Sequence, residues 1–256
     1  MKKEKEEKEE KKKVNVIVVI FTIFSVGIFC IAAYQLITLF LSYRDNIAVV
    51  ELAKDASADD DSTEDEWIFD YDALLEINPY AIGWIKQSGD GIVDYPIVQY
   101  TDNSYYLNRD IYGDYSKYGT IFADYRIKNG LNSHFCILWG HNMSGGRSMF
   151  GALDYYEDDR YYEAHPTFTI WVGYDKYEYQ VFAYGYVDTD SSFFTFSFSD
   201  SYTIMDWLSD RFSEMTIKDA ELSDFTEADH FVALATCPDN KDYSKRFVVL
   251  LYRIDE

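Results

Sequence analysis

Residues 14–43 carry no Asp, Glu, Lys or Arg, and their centre reads VIVVIFTIFSVGIFCIAAYQLITLFL. At about 1.5 Å rise per residue, roughly 20 apolar residues cross the hydrocarbon core of a bilayer, so this stretch spans one with some tilt. A soluble core helix would be shorter and striped on one face. A cleaved signal peptide would have an apolar region of only ~7–15 residues and a small-residue exit. The expectation is an uncleaved transmembrane anchor. Lys11, Lys12 and Lys13 abut it on one side, whereas Arg44 stands alone before acids on the other. The positive-inside rule then predicts a single-pass cell-membrane protein with a cytoplasmic N-terminus and everything after residue 43 outside.

Residues 44–66, RDNIAVVELAKDASADDDSTEDE, read as a spacer. Its acids lack the glycine and the terminal Glu of a calcium loop, so a self-repelling, solvated linker is expected. From Trp67 the pattern turns globular. Asp70 is a candidate N-cap for a short helix, YDALLEI, ended by Asn78-Pro79. Eight runs rich in Val, Ile, Tyr, Phe and Thr follow at 81–86, 91–99, 119–126, 133–140, 167–174, 177–188, 230–237 and 246–254, bounded by Gly, Asp, Asn and Ser. Short helical pieces are expected at 103–110, 149–156 and 160–165, and a longer helix at 201–215, where Ile204, Trp207, Leu208 and Phe212 fall at helical spacing. Strands without regular strand–helix alternation predict a mainly β, mostly antiparallel barrel or sandwich. The organisation is a charged tail (1–13), an anchor (14–43), an acidic linker (44–66) and one globular domain (67–256).

Composition narrows the function. A formal charge of −22 and a pI near 4.4 argue against nucleic acid as a partner, because phosphates need a basic surface. Twenty-four Tyr and 18% aromatic residues are too many for a disordered chain. The cysteines, Cys30, Cys136 and Cys237, show no paired spacing and no disulfide framework.

Beyond the anchor, two Cys and four His are the chemical candidates. Cys237 ends the strand-like run HFVALATC and precedes a polar loop, PDNKDYSK; Arg246 opens the next run. A hairpin there would bring guanidinium to thiol. His141 heads a Gly-rich loop after FCILWG. A thiolate to attack a carbonyl, an imidazole to move protons and a cation to hold an oxyanion suit acyl transfer. Taken singly, a lone Cys is more often an inert core thiol, and a lone His a satisfied structural residue. His134, Cys136 and His141 lack a recognised zinc spacing, a papain-like site would need Cys before His, and SGGRS lacks the ending of a phosphate-binding loop.

The motifs in order point further. WGHNM around His141, ALATC ending at Cys237, KRFVV with Arg246, and the segments LLEINPYAIGWI, DYPIVQ, DNSYYLNRD and GTIFADYR together resemble a class B sortase, a membrane-anchored cysteine transpeptidase of Gram-positive bacteria. The resemblance covers residues 67–256, with the helix at 201–215 matching the insertion that distinguishes class B from class A. It implies an eight-stranded sortase barrel with catalytic Cys237, His141 and Arg246 at one end of a groove. Asn103, Leu107, Ala235, Thr236 and Asp239 become the substrate-binding candidates. It implies a C-terminal sorting signal of LPxTG or NPQTN type, cut after Thr through a thioester and passed to an amine of a cell-wall precursor or a pilin. No metal or cofactor is implied. A thiol hydrolase using water, or a tethered non-enzymatic binding module, remain as alternatives. Ala235 takes the signature's variable position, whereas the sequence departs from the family pattern at Ala233, Trp139 and Pro238. The last follows the nucleophile directly, where resembling enzymes use a backbone N–H to help hold the oxyanion, and proline has none.

Overall fold

The computed structural model of the protein describes residues 2–59, 67–143, 148–194, 198–199, 201–236 and 244–254. Residues 60–66, 144–147 and 237–243, the last with Cys237, Pro238 and Asp239, lie outside the described residues. The chain divides into two compact units, residues 1–47 and 48–256.

A single helix, α1 (Lys2–Ala56), makes up the first unit and continues into the second. Its part Val18–Ala56 is long and apolar enough to cross a membrane, with a mean hydropathy of 2.1 and no burial in its most apolar window. Phe21, Phe24, Phe29 and Phe40 are all exposed, which suits contact with lipid and would be costly in water.

Within the second unit, the spacer expected over 44–66 is helical as far as Ala56, and Ala53 and Ser57 are wholly buried. Val49 and Ala53, four residues apart on one helix face, pack with Trp67 and Trp84. The Trp67 indole N–H donates to the Lys54 carbonyl at 3.1 Å. The Lys54 ammonium pairs with the Asp94 carboxylate, whose other oxygen accepts the Trp84 indole N–H at 2.6 Å. Globular packing thus takes in residues ahead of Trp67.

Helix α2 (Tyr71–Ile77) is capped as its sequence predicts: the Asp70 side chain accepts from Ala73 N–H, and Asn78 N–H closes on Leu74 O. Strands β1 (Ala81–Gln87), β2 (Asp94–Val98), β3 (Ile121–Ala123) and β4 (Phe135–Trp139) follow, then the two-residue strands β5 (Asn142–Met143) and β6 (Ser148–Met149). After α3 (Asp159–Ala164) come β7 (Thr167–Val172) and β8 (Asp175–Asp188). Helix α4 (Ile204–Glu214), β9 (Thr216–Ile217), β10 (Phe231–Thr236) and β11 (Lys245–Arg253) complete the order.

Eight strands close a barrel in the order β11-β10-β4-β3-β2-β1-β7-β8, with β8 pairing back to β11 from Asp188↔Lys245 to Tyr179↔Arg253. Closure leaves no free sheet edge in the ring, which decides for the barrel over the sandwich. These are the eight runs legible in the sequence. Strands β5, β6 and β9 are too short to show a period. Two pairings, β2–β3 and β4–β10, are parallel, and the remaining ring pairings are antiparallel.

Every residue of β10 is buried, as is the centre of β11 from Phe247 to Leu251. Helix α4 covers the outside. Ile204, Trp207 and Leu208 are buried as their spacing predicts, with Trp207 against Phe135 at 4.5 Å between ring centroids. Arg211 is buried with them, over the Phe193 and Trp207 rings and paired with Glu214.

Candidate active site

Strand direction assembles the site. Because β10 runs parallel to β4, with Ala235 beside Trp139, both strands deliver their C-terminal ends to one end of the barrel. Strand β11 runs antiparallel to β10 and begins at that same end, with Phe247 opposite Thr236. The first residue past β4 and Gly140 is His141, Arg246 stands at the head of β11, and the sequence continues from Thr236 directly to Cys237.

Gly140 is needed where it stands. A Cβ there would lie 2.5 Å from Ile121 Cδ1 and 2.6 Å from a Phe150 ring carbon. Its N–H donates to Ala235 O at 3.2 Å, and the next carbonyl, of His141, accepts from Phe150 N–H at 2.9 Å. The backbone entering and leaving the histidine is therefore fixed. The ring is fixed as well: His141 Nε2 lies 2.8 Å from the Leu107 carbonyl. A carbonyl only accepts, so Nε2 carries the hydrogen and Nδ1 is the nitrogen left to gain or lose a proton.

A cavity of about 450 Å³ opens at this end. Its apolar wall is Leu107, Phe122, Trp139, Phe194 and Ala235, and its polar groups come from Asn103, Arg126, His141, Thr189, Thr236 and Arg246. Phe194 stacks on Trp139 with centroids 5.4 Å apart. The Arg246 side chain is half-buried and donates from Nη1 to the Lys245 carbonyl at 2.7 Å. Thr236 is buried, and its hydroxyl has no hydrogen-bond partner among the described residues.

Of the residues singled out in the sequence, Asn103, Leu107, His141, Ala235, Thr236 and Arg246 share this cavity. Cys237 and Asp239 fall outside the described residues. The other histidines lie elsewhere. His134 and His230 stack at 4.6 Å, at the beginnings of β4 and β10, away from the strand ends that carry His141. His165 is buried, with Nδ1 2.8 Å from the Ser88 carbonyl. Cys136, the second residue of β4, is buried, and burial pushes its thiol well above the ordinary range. The sequence did not single out Phe122, Arg126, Thr189 or Phe194. The only hint lay in GTIFADYR, where a charged Asp-x-Arg ends an otherwise apolar strand.

No family model matches the chain. It is 30% identical to sortase B of Staphylococcus aureus over 181 residues, 70% of this chain and 72% of that protein. To sortase B of Listeria monocytogenes it is 29% identical over 228 residues, 88% and 91% of the two chains. Among solved structures, sortase B from B. anthracis in complex with AAEK2 superposes with a TM-score of 0.69 at 29% identity, covering 84% of this chain and 98% of the other. The Staphylococcus aureus sortase B–substrate complex gives 0.64 at 31% identity, covering 72% and 84%. The shared barrel and sequence are those of cysteine transpeptidases that work on the cell wall. The chain belongs to the sortase B family.

Proposed function

We propose that Cys237, His141 and Arg246 carry the reaction of this sortase on a C-terminal sorting signal of LPxTG or NPQTN type. The observation that carries this reading is the convergence of His141, the Ala235-Thr236 end of β10 and Arg246 around one cavity. The Cys237 thiolate attacks the carbonyl carbon of the signal's Thr, and the negative charge moves to the carbonyl oxygen beside the Arg246 guanidinium. Collapse breaks the C–N bond, and protonated His141 gives its Nδ1 proton to the leaving amine, leaving a thioester. An amine of a cell-wall precursor or a pilin then attacks the thioester, returns a proton to His141 and releases the thiolate. Asn103, Leu107, Ala235, Thr236 and Asp239 are assigned to holding the signal. Supporting this are the apolar wall, which suits a Leu or Pro side chain, and the polar groups that suit the peptide backbone. The apolar helix anchors the enzyme with its N-terminus cytoplasmic and its barrel outside, on the strength of Lys11, Lys12 and Lys13.

The test uses the full chain in detergent with a sorting peptide, with and without a glycyl amine. The expected products are a mass adduct on the Cys237 peptide, cleavage after Thr, and a ligated product when the amine is present. His141→Ala should lower the rate by ~10²–10⁴-fold. An adduct that survives Cys237→Ala overturns the assignment, and release of acid alone at saturating amine identifies a thiol hydrolase instead.

A further inference from the structure

Asp124 does not line the cavity, yet three of its hydrogen-bond donors do. It follows β3, is completely buried, and collects five N–H groups on two oxygens. Arg126 gives its backbone N–H and Nε–H to one oxygen, at 3.0 and 2.9 Å. Arg126 Nη2, Asn103 Nδ2 and Trp139 Nε1 reach the other at 2.8, 2.7 and 3.0 Å. Asn103, Arg126 and Trp139 all face the cavity, and they come from three separate segments of the chain.

We propose that Asp124 is a positioning residue of the sortase reaction, holding Asn103, Arg126 and Trp139 in the geometry that receives the sorting signal. This rests on the reading of the cavity as the signal-binding groove. Only a carboxylate suits the place, since it accepts at every lone pair and donates nothing. An isosteric amide would turn two N–H groups toward donors. Two of the three wall residues, Asn103 and Trp139, are held from a second side as well. Asn103 Oδ1 accepts Tyr125 N–H at 3.0 Å, so its amide cannot turn over. Trp139 has its edge on Asp124 and its face on Phe194. The Asp124 backbone N–H donates to Ile137 O at 2.9 Å and its carbonyl accepts Gln99 Nε2 at 2.9 Å, so the carboxylate is itself anchored to the barrel. Burial alone would raise its carboxyl, but the donors from Arg126, Trp139 and Asn103 outweigh that and hold it below the ordinary range. It is therefore anionic at neutral pH and offsets the Arg126 charge in the groove. A wall ordered before the peptide arrives spares the peptide that ordering cost.

The test is steady-state cleavage of a sorting peptide by the full chain in detergent, comparing Asp124→Asn, Asn103→Ala and Trp139→Phe. Asp124→Asn should raise KM by ~10-fold or more while kcat changes by less than ~3-fold, because uniform binding is what is lost. Iodoacetamide should alkylate Cys237 at an unchanged rate. The Trp139 indole proton resonance, assigned by its disappearance in Trp139→Phe, should move upfield as its acceptor loses charge. Adding Asn103→Ala or Trp139→Phe to Asp124→Asn should give less than multiplicative effects on KM. A folded Asp124→Asn chain with unchanged KM overturns the proposal, as does a fall in kcat and alkylation at constant KM. If Asp124→Asn does not fold, Asn103→Ala and Trp139→Phe take its place: sub-multiplicative effects on KM support the link through Asp124, and multiplicative ones overturn it. An inactive wild type overturns the groove reading as well, whereas an active wild type with unaltered KM in Asp124→Asn overturns this inference alone.

Discussion

Of the two cysteines beyond the anchor, Cys136 lies within the described residues. Cys136 is the second residue of β4, beside Val232, wholly buried, with a thiol that burial keeps protonated. Thiolates, not thiols, are the nucleophiles. Iodoacetamide should therefore leave Cys136 unmodified until the chain unfolds, and Cys136→Ala should keep turnover while costing about 1 kcal/mol of stability; peptide mass mapping and a melting curve check both. Gly140→Ala should be worse than its size implies. The added methyl meets the Phe150 ring one residue before His141, and overpacking of this kind costs ~1–3 kcal/mol. A lowered Tm together with reduced turnover is expected, and normal turnover would show that His141 tolerates a shifted backbone. If Arg246 holds the oxyanion as proposed, it does so without help from Pro238, which has no N–H to offer. Arg246→Lys should lower turnover by ~10²-fold or more, since an ammonium cannot reproduce the planar fork of donors. Pro238→Ala should raise turnover. Near-normal Arg246→Lys with no gain from Pro238→Ala would mean that other groups hold the oxyanion. His141, Arg246, Asn103 and Leu107 were legible in the sequence because they sit inside ordered motifs. Arg126, Thr189 and Phe194 were not, because barrel closure, which no local pattern encodes, brings them to the same cavity.

Among elements, the eight strands were legible because half-buried and fully buried strands imprint alternation or apolar runs on the sequence. Helix α4 announced itself through Ile204, Trp207 and Leu208, and its Thr203–Asp206 capping box is likewise readable. Pieces expected as short helices at 103–110 and 149–156 are 3-10 helices, Tyr105–Asn108 and Gly151–Glu157. The stretch from 48 to 56 is the instructive miss. Only Val49 and Ala53 mark its inner face, and two positions cannot be told from chance against so many acids. Yet it covers Trp67 and supplies Lys54 to Asp94. A soluble chain beginning at Ala48 should consequently be more stable than one beginning at Trp67, by ~2–4 kcal/mol of burial and pairing, and should melt at a higher temperature. Equal melting temperatures for the two chains would show that the strap adds nothing to the barrel.

For the molecule as a whole, acid should loosen the fold in two stages with the same sign. His134 and His230 form a reciprocal clasp, Nδ1 of each facing the carbonyl that precedes the other, Asp229 O at 3.3 Å and Ser133 O at 3.2 Å. Burial, then Arg253 and His134, lower His230 below its ordinary 6.5. The unfolded chain then binds this proton first, so stability falls as pH drops from about 6.5 through the folded value. Asp124 is held below 3.8. The folded carboxylate stays ionised where the unfolded one is protonating, so a second loss begins below about pH 4. His230→Asn keeps a donor near Ser133 O without titrating, and it should flatten the decline of Tm between about pH 7 and 5.5; an unchanged decline would place its origin elsewhere. The parallel pairing of β4 with β10, and the closure of β11 on both β10 and β8, also set a timetable for biosynthesis. A ribosome makes the strands in chain order, so β4 must wait for β10, almost a hundred residues later, and the ring stays open until β11 exists. Arg246 arrives on that last strand. A nascent chain therefore holds its thiol without the guanidinium that the proposed chemistry requires, and it gains both a closed barrel and a complete set of reacting groups in one final event.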